Sequence, residues 1–536
     1  MSYKKLKIEN PLVGSEKELL RVNLGGKSGI YGACSIEDFL PGISDLSLTH
    51  EDAEGFLGYP TSFTPANFWR KDGGVSVWMY EEAFDNWQDL YGMDAVKVFY
   101  HSGHGNMLED GTYMAPMGAV WDDRSLALSS KMAFANEKLR YLFWSTCLSL
   151  RVHDGHSPDR TWRLANKGGL RMIFGYETVS YDSGRYGSEF WKQWKKGKSF
   201  SDAFIEASWS LFRNQTPVVC ACGNTKEEVQ KRLFSERMFY SGAVSSNWYW
   251  WKWREAQNHK GLKTARAKAP QNMDVLLLKP YIIDDDLMSA IANKVGINKR
   301  TAKSIAIGQD GLRCIGTKDI LVSVDSSGTL QLQMAQANYR NDNRISEIQA
   351  TKIARELIED LGIAKDVKLT PATTYNSFLC GANTKTGEQG KPTVVETIIQ
   401  FRQVNDKMES VNADSGFVAV AVDNDGKITR LTSSVKPIVD TQKSIDMQSL
   451  AKKREVKMKE LSVEERFERK INRLINGTTN NSKLMKITDA PKVMVETLSD
   501  KIGYDFSSNY AQPVQQRDIE IKVGDFVKRY QLRVDL

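Results

Sequence analysis

Over the first 240 positions, short apolar runs alternate with segments in which apolar residues recur at helical spacing. The runs Ala95-Val-Lys-Val-Phe-Tyr100, Leu139-Arg-Tyr-Leu-Phe-Trp144, Leu170-Arg-Met-Ile-Phe-Gly175 and Pro217-Val-Val-Cys-Ala-Cys222 are rich in β-branched and aromatic side chains. They read as buried strands. Between the last two, residues 190–194 and 200–209 place Phe and Trp on one helical face, with Ser199 or Ser201 available as a cap. Strands that alternate with helices predict an α/β domain whose sheet is mostly parallel and flanked by helices.

The rhythm changes after about residue 245. Short β segments follow at 274–278 and 319–324, and Ser346 to Leu361 has a helical stripe of Ile348, Ile353, Ala354, Leu357 and Ile358. Val394–Phe401 and Gly416–Val422 are strand-like, and the Asp423-Asn-Asp-Gly-Lys427 stretch before Ile428 predicts a hairpin. Residues 442–476 are densely charged and read as solvated helix, with mixed signs in Lys452 to Glu460. Alternation at Ile519, Ile521, Val523 and at Tyr530, Leu532, Val534 predicts a closing hairpin. The expected division is an α/β domain over 1–245 with its core at 75–240, and a basic, aromatic linker at 246–271. An α+β region at 272–440, a charged helical segment at 441–484 and a β-rich segment at 485–536 complete it.

Composition adds little to this picture and removes several options. Twelve of the 13 tryptophans lie at or before Trp251, which supports a boundary near there. The Trp248-Tyr-Trp-Trp-Lys-Trp253 cluster reads as a strip sealing the edge of the first domain, the alternative being an exposed aromatic and basic patch. A net charge of +7 on 536 residues gives no concentrated basic face, so no nucleic-acid partner is expected. The six cysteines form no pair of CxxC motifs, which argues against a zinc ribbon or a disulfide framework. Neither a signal-peptide pattern nor an 18-residue apolar window occurs, so no membrane span is expected and a cytoplasmic location is. Delivery by a specialised secretion machine would leave no mark of this kind. Leu24-Gly-Gly-Lys-Ser28 has the lysine of a phosphate loop, but Arg21 stands where its first glycine belongs.

The chemistry concentrates at two strand ends. The run ending at Tyr100 leads directly into His101-Ser-Gly-His-Gly105, and the run ending at Trp144 leads into Ser145-Thr-Cys147. In α/β sheets the carboxyl ends of strands are where sites form. Glycines beside His104 allow backbone N–H groups to approach a reacting carbonyl. A cysteine and a histidine at neighbouring strand tips can cooperate in attack on that carbonyl. The pairs His101/His104 and His153/His156 offer a competing reading, four imidazoles converging on a metal in a hydrolase.

With Tyr100, Ser102-Gly-His-Gly105 and Cys147 in this order and spacing, residues 75–240 resemble the caspase-like (clan CD) cysteine peptidases. In motif they are closest to metacaspases and bacterial caspase-like proteins. The resemblance implies an endopeptidase in which Cys147 attacks the scissile carbonyl and His104 protonates the leaving amine. It also implies an oxyanion hole from the N–H groups of Gly105 and Cys147, a protein or peptide substrate, an activating partner and no cofactor. Relatives carry a telltale residue two positions before the cysteine, and here that position is Ser145. Asp154, Asp182 and Arg185, on the following loops, are the other candidates for the substrate pocket. The C-terminal half is then expected to regulate the peptidase or recruit its substrate. A front domain that has lost activity and serves as a scaffold is the non-enzymatic alternative.

Overall fold

The structure is a computed structural model that describes residues 2–6, 8–12, 29–255, 273–279, 283–308, 310–406, 408–442, 461–479 and 492–536. Five strands form one end of a long sheet in the spatial order Phe68–Lys71, Tyr31–Ser35, Val98–Ser102, Tyr141–Ser145, Met172–Tyr176, every neighbouring pair parallel. Each of the last three predicted runs of the first half begins or ends within two residues of its observed strand. Both faces of these strands are covered. Phe99, Leu142, Trp144 and Ile173 enter one core, while Val98, Tyr100, Tyr141, Phe143, Met172 and Phe174 enter the other. That is why these strands read as continuous apolar runs rather than alternating ones. The helices Tyr186–Lys195 and Phe200–Leu211 pack on the second face, and Ser199 caps the latter by accepting from Asp202 N at 3.2 Å.

Two expectations need correction. The sheet as a whole is mixed and mostly antiparallel, with 16 strands among the described residues. Parallel pairing is confined to the five strands above and to the far edge, where Ser2–Lys5 lies along Ser304–Ile307. From Pro217–Gly223 onward the central strands run antiparallel. Several follow one another through tight turns, such as Asp423 to Lys427, which join antiparallel neighbours directly. The second correction concerns the linker. Trp248–Arg254 is a strand in the middle of the sheet, paired on one side with Pro217–Gly223 and on the other with Thr373–Asn383. Its aromatics are there to be buried: Tyr249, Trp251 and Trp253 are enclosed in the first core. The basic remainder, 256–271, lies outside the described residues, as do Leu24 to Ser28 and Lys452 to Glu460.

A buried ionic network crosses the expected boundary. Lys252 on the Trp-rich strand reaches Asp202 at 2.7 Å and Glu396 at 3.7 Å, and Arg430 pairs with Glu396 at 3.0 Å. Arg254 pairs with Glu206 at 2.7 Å. Burial alone would raise the Asp202 carboxyl, but Lys252 and Arg430 outweigh it and hold it down at about 2.

In the second half, the helix expected from Ser346 is Glu347–Leu361 with Ser346 as its cap, but Ile348 points into solvent and Ala350, Ala354, Ile358 and Leu361 form the buried stripe. The closing hairpin is present as Tyr510–Val523 and Phe526–Asp535, with Val493–Asp505 as a third strand. Ile519, Ile521, Val523, Tyr530, Leu532 and Val534 pack with Phe467 of helix Val463–Thr479.

Candidate functional site

Strand geometry sets His104 and Cys147 at one edge. Val98–Ser102 and Tyr141–Ser145 are adjacent and parallel, with Ser102 opposite Ser145, so the two segments leave the sheet together. Helix Thr49–Thr61 ties these ends down through Asp52. Its carboxylate accepts from Tyr100 Oη and Ser102 Oγ, each at 2.8 Å, and from Gly187 N at 2.8 Å, and it also bonds Ser145. Burial pushes the Asp52 carboxyl up, and these hydrogen bonds resist that shift. Just beyond Cys147 the chain turns sharply, with Leu148 at φ 56°. Gly105 lies against the cysteine: a Cβ there would sit 2.7 Å from both Cys147 O and Tyr113 Oη.

His104 is fully buried between Phe39, at 4.9 Å between ring centroids, and Phe526, at 5.7 Å. Its Nε2 is 2.9 Å from the carbonyl of Ser44 and 3.2 Å from the hydroxyl. A carbonyl can only accept, so Nε2 carries the proton and Nδ1 presents its lone pair. Nδ1 is buried without a hydrogen-bond partner among the described residues. Burial, aided by the ammonium of Lys528, lowers His104 to about 3, against the opposing bond to Ser44. Ser44 itself sits on a loop fastened at its base. Asp72 accepts from Glu37 N at 2.8 Å and meets His50 Nε2 at 2.9 Å, and His50 Nδ1 contacts Ser35 Oγ at 2.8 Å. This Ser–His–Asp chain is no second nucleophilic site, because Ser35 is buried and its Oγ also accepts from Trp69 Nε1.

Cys147 is fully buried as well. Its thiol donates to Val527 O at 3.2 Å, while Ser180 N donates to Sγ at 3.3 Å and Ser180 Oγ lies at 3.5 Å. Lys528 Nζ donates to Gly103 O at 3.3 Å and to Ser180 Oγ at 3.2 Å. Sequence reasoning did not anticipate these contacts from the C-terminal hairpin. Periodicity shows that a hairpin forms, not what its tip touches several hundred residues away.

The other predicted site residues disperse. Ser145 serves the Asp52 network. Asp154 turns back to Arg151 at 2.7 Å on an exposed loop, and Arg185 reaches Asp414 of the second half at 3.5 Å. Asp182 alone lies close to the segment that covers His104 and Cys147, its N donating to Arg529 O at 3.0 Å. It is buried, its Oδ2 accepts from Ser47 N at 3.1 Å, and burial pushes its carboxyl up against the pull of Lys528. The four histidines do not converge. His101 Nδ1 meets Tyr80 Oη at 2.7 Å and His153 meets Glu255 at 3.0 Å. Among the described residues no three His, Cys, Asp or Glu side chains are grouped as metal ligands. Nor is any described helix long and apolar enough to cross a membrane.

Residues 35–255 match a family described as a domain of unknown function, DUF6345. That span opens on the first parallel strand, contains His104 and Cys147, and closes just after the Trp-rich central strand. No curated protein matches the chain.

Proposed function

We propose that this protein is a caspase-like cysteine endopeptidase that cuts protein substrates with Cys147 as nucleophile and His104 as proton carrier. One observation carries the reading. At the ends of adjacent parallel strands, an imidazole with its Nε2 proton committed to Ser44 presents an Nδ1 lone pair with no partner among the described residues, and consecutive residues of one segment, Phe526 and Val527, contact that imidazole and a free thiol. In the reaction, the Cys147 proton passes to His104 and sulfur bonds to the scissile carbonyl carbon. The carbon–nitrogen bond then breaks as His104 returns the proton to the leaving amine, and water hydrolyses the thioester to regenerate the thiol. The N–H groups of Gly105 and Cys147 would receive the oxyanion, an arrangement for which Gly105 needs to lack a side chain.

The test is a survey of new N-termini in a denatured proteome incubated with the Lys528→Gln variant, which loses the Lys528 bonds to Gly103 and Ser180, and with the same variant carrying Cys147→Ala or His104→Ala. Cuts made by Lys528→Gln and lost in both double variants are expected. Identical patterns from Lys528→Gln and Lys528→Gln/Cys147→Ala would overturn the assignment.

A further inference from the structure

The dyad is not merely buried; a specific part of the chain buries it. The turn between Val523 and Phe526 has only two residues, with Gly524 at φ 59° as the first, which makes the hairpin tip short and stiff. A Cβ on Gly524 would lie 2.9 Å from Gly42 O, so the tip is pressed against the loop that holds His104. Asn106 Nδ2 donates to Asp525 O at 2.8 Å. The next three residues cover the site in turn: Phe526 packs on His104, Val527 O accepts a hydrogen bond from the Cys147 thiol, and Lys528 bonds Gly103 O and Ser180 Oγ. Arg529 then pairs main chain to main chain, its N donating to Ser180 O at 3.2 Å and its O accepting from Asp182 N at 3.0 Å. An extended segment bonded along a loop edge, with alternate side chains in enclosed spaces, is how a peptide adds itself to a binding cleft.

We infer that the strand Phe526–Asp535 is a built-in occupant of the substrate cleft, and that Cys147 becomes reachable only when its tip withdraws. The inference rests on the cysteine-peptidase reading for the meaning of the cleft, though not for the occlusion itself. The closed form is chemically silent for two reasons. The carbonyl nearest to sulfur belongs to the protein's own Val527. The Lys528 ammonium also opposes the positive charge that His104 must carry between the two halves of proton transfer. Withdrawal of the tip removes both and lets water reach the imidazole. The residues making these contacts are separate from those that form the hairpin's own core, so the tip can be altered while the hairpin stands.

The experiment measures alkylation of each cysteine by iodoacetamide, site by site by mass spectrometry, in wild type and in the full-length variants Lys528→Gln and Phe526→Ala. All six cysteines are buried, so the other five report on unfolding. In wild type, Cys147 should react as slowly as they do. In the tip variants it should react about tenfold faster or more, the scale expected when an ammonium group's hydrogen bonds are lost, with the other five unchanged. Fast Cys147 alkylation in wild type overturns the inference. So does an increase spread over all six thiols, or no increase in either variant. Proteolysis by the same samples separates the two readings. Selective exposure of Cys147 without any cutting upholds the occlusion and removes the peptidase. Cutting by wild type at the rate of both variants upholds the peptidase and removes the occlusion.

Discussion

Acidification should destabilise the first half of this protein through two histidines. His101 and His104 are both fully buried, and burial together with Lys528 lowers each to about 3. In the unfolded chain each would titrate near the ordinary value of about 6.5. Between these limits the unfolded state binds more protons, so stability is complete above pH 6.5 and is lost as the pH falls toward 3. At pH 5 the loss is about 2 kcal/mol per histidine, about 4 kcal/mol for the pair. Buried carboxyls such as Asp52 and Asp182 are shifted upward and act in the opposite sense, which masks part of the loss. A difference measurement removes them. Urea unfolding would be followed by tryptophan fluorescence, which reports this region because no tryptophan lies beyond Trp253. Wild type and the double variant His101→Gln/His104→Gln would be compared at pH 7 and pH 5. Wild type should lose about 4 kcal/mol more than the variant over that interval. Equal losses would refute the claim that these imidazoles are held neutral by burial.

Three further outcomes follow from packing. Gly105→Ala forces a methyl group to 2.7 Å from Cys147 O and should cost about 1–3 kcal/mol in chemical denaturation, with loss of any Cys147-dependent cutting. A change within error would mean that the loop yields freely there. Lys252→Ala leaves Asp202 and Glu396 buried with one cation fewer and should cost about 3–5 kcal/mol, whereas a neutral result would show that water relieves the network. A fragment ending at residue 255 should be recovered mainly in aggregates. It would expose Trp248–Arg254 as a long, aromatic edge strand, and a soluble monomeric fragment would contradict the role given to that strand.

What the sequence made legible divides along contact range. The strand ends near His104 and Cys147, the Ser199 cap and the Asp423–Lys427 hairpin are encoded within a dozen residues, and local pattern sufficed for them. Trp248–Arg254 was misread because its composition matches an exposed patch or an edge strip as well as a central strand. Only pairing with Thr373–Asn383, more than a hundred residues later, decides between them. The bond from Ser145 to Asp52 of an earlier helix was illegible for a similar reason, since it joins positions almost a hundred residues apart. Ser44, Ser180 and Lys528 carry no motif at all. They meet the dyad through loops and a hairpin whose placement is tertiary.

That placement also limits how the site can open. If the C-terminal half were a separate domain, Cys147 could be uncovered by the two halves moving apart. Here such a motion would break the ladder from Trp248–Arg254 to Thr373–Asn383 and tear Lys252 from Glu396, and Arg430 from Asp202 and Glu206, in a buried interior. The cost of leaving buried charges unpaired makes that route unfavourable. The hairpin is attached differently. Its strands belong to a smaller sheet with Val493–Asp505 and Val275–Leu278, and its own core is completed by helix Val463–Thr479. Across His104 and Cys147 it is held by the main-chain bonds of Arg529, by Asn106 to Asp525 O and Cys147 to Val527 O, by the side-chain bonds of Lys528 and of Arg529 to Asn214 O, and by one aromatic contact. A segment joined by so few bonds can open locally while the large sheet stays intact. Access to Cys147 is therefore a matter of moving Phe526 to Arg529, and the rest of the second half is the frame that holds them in place.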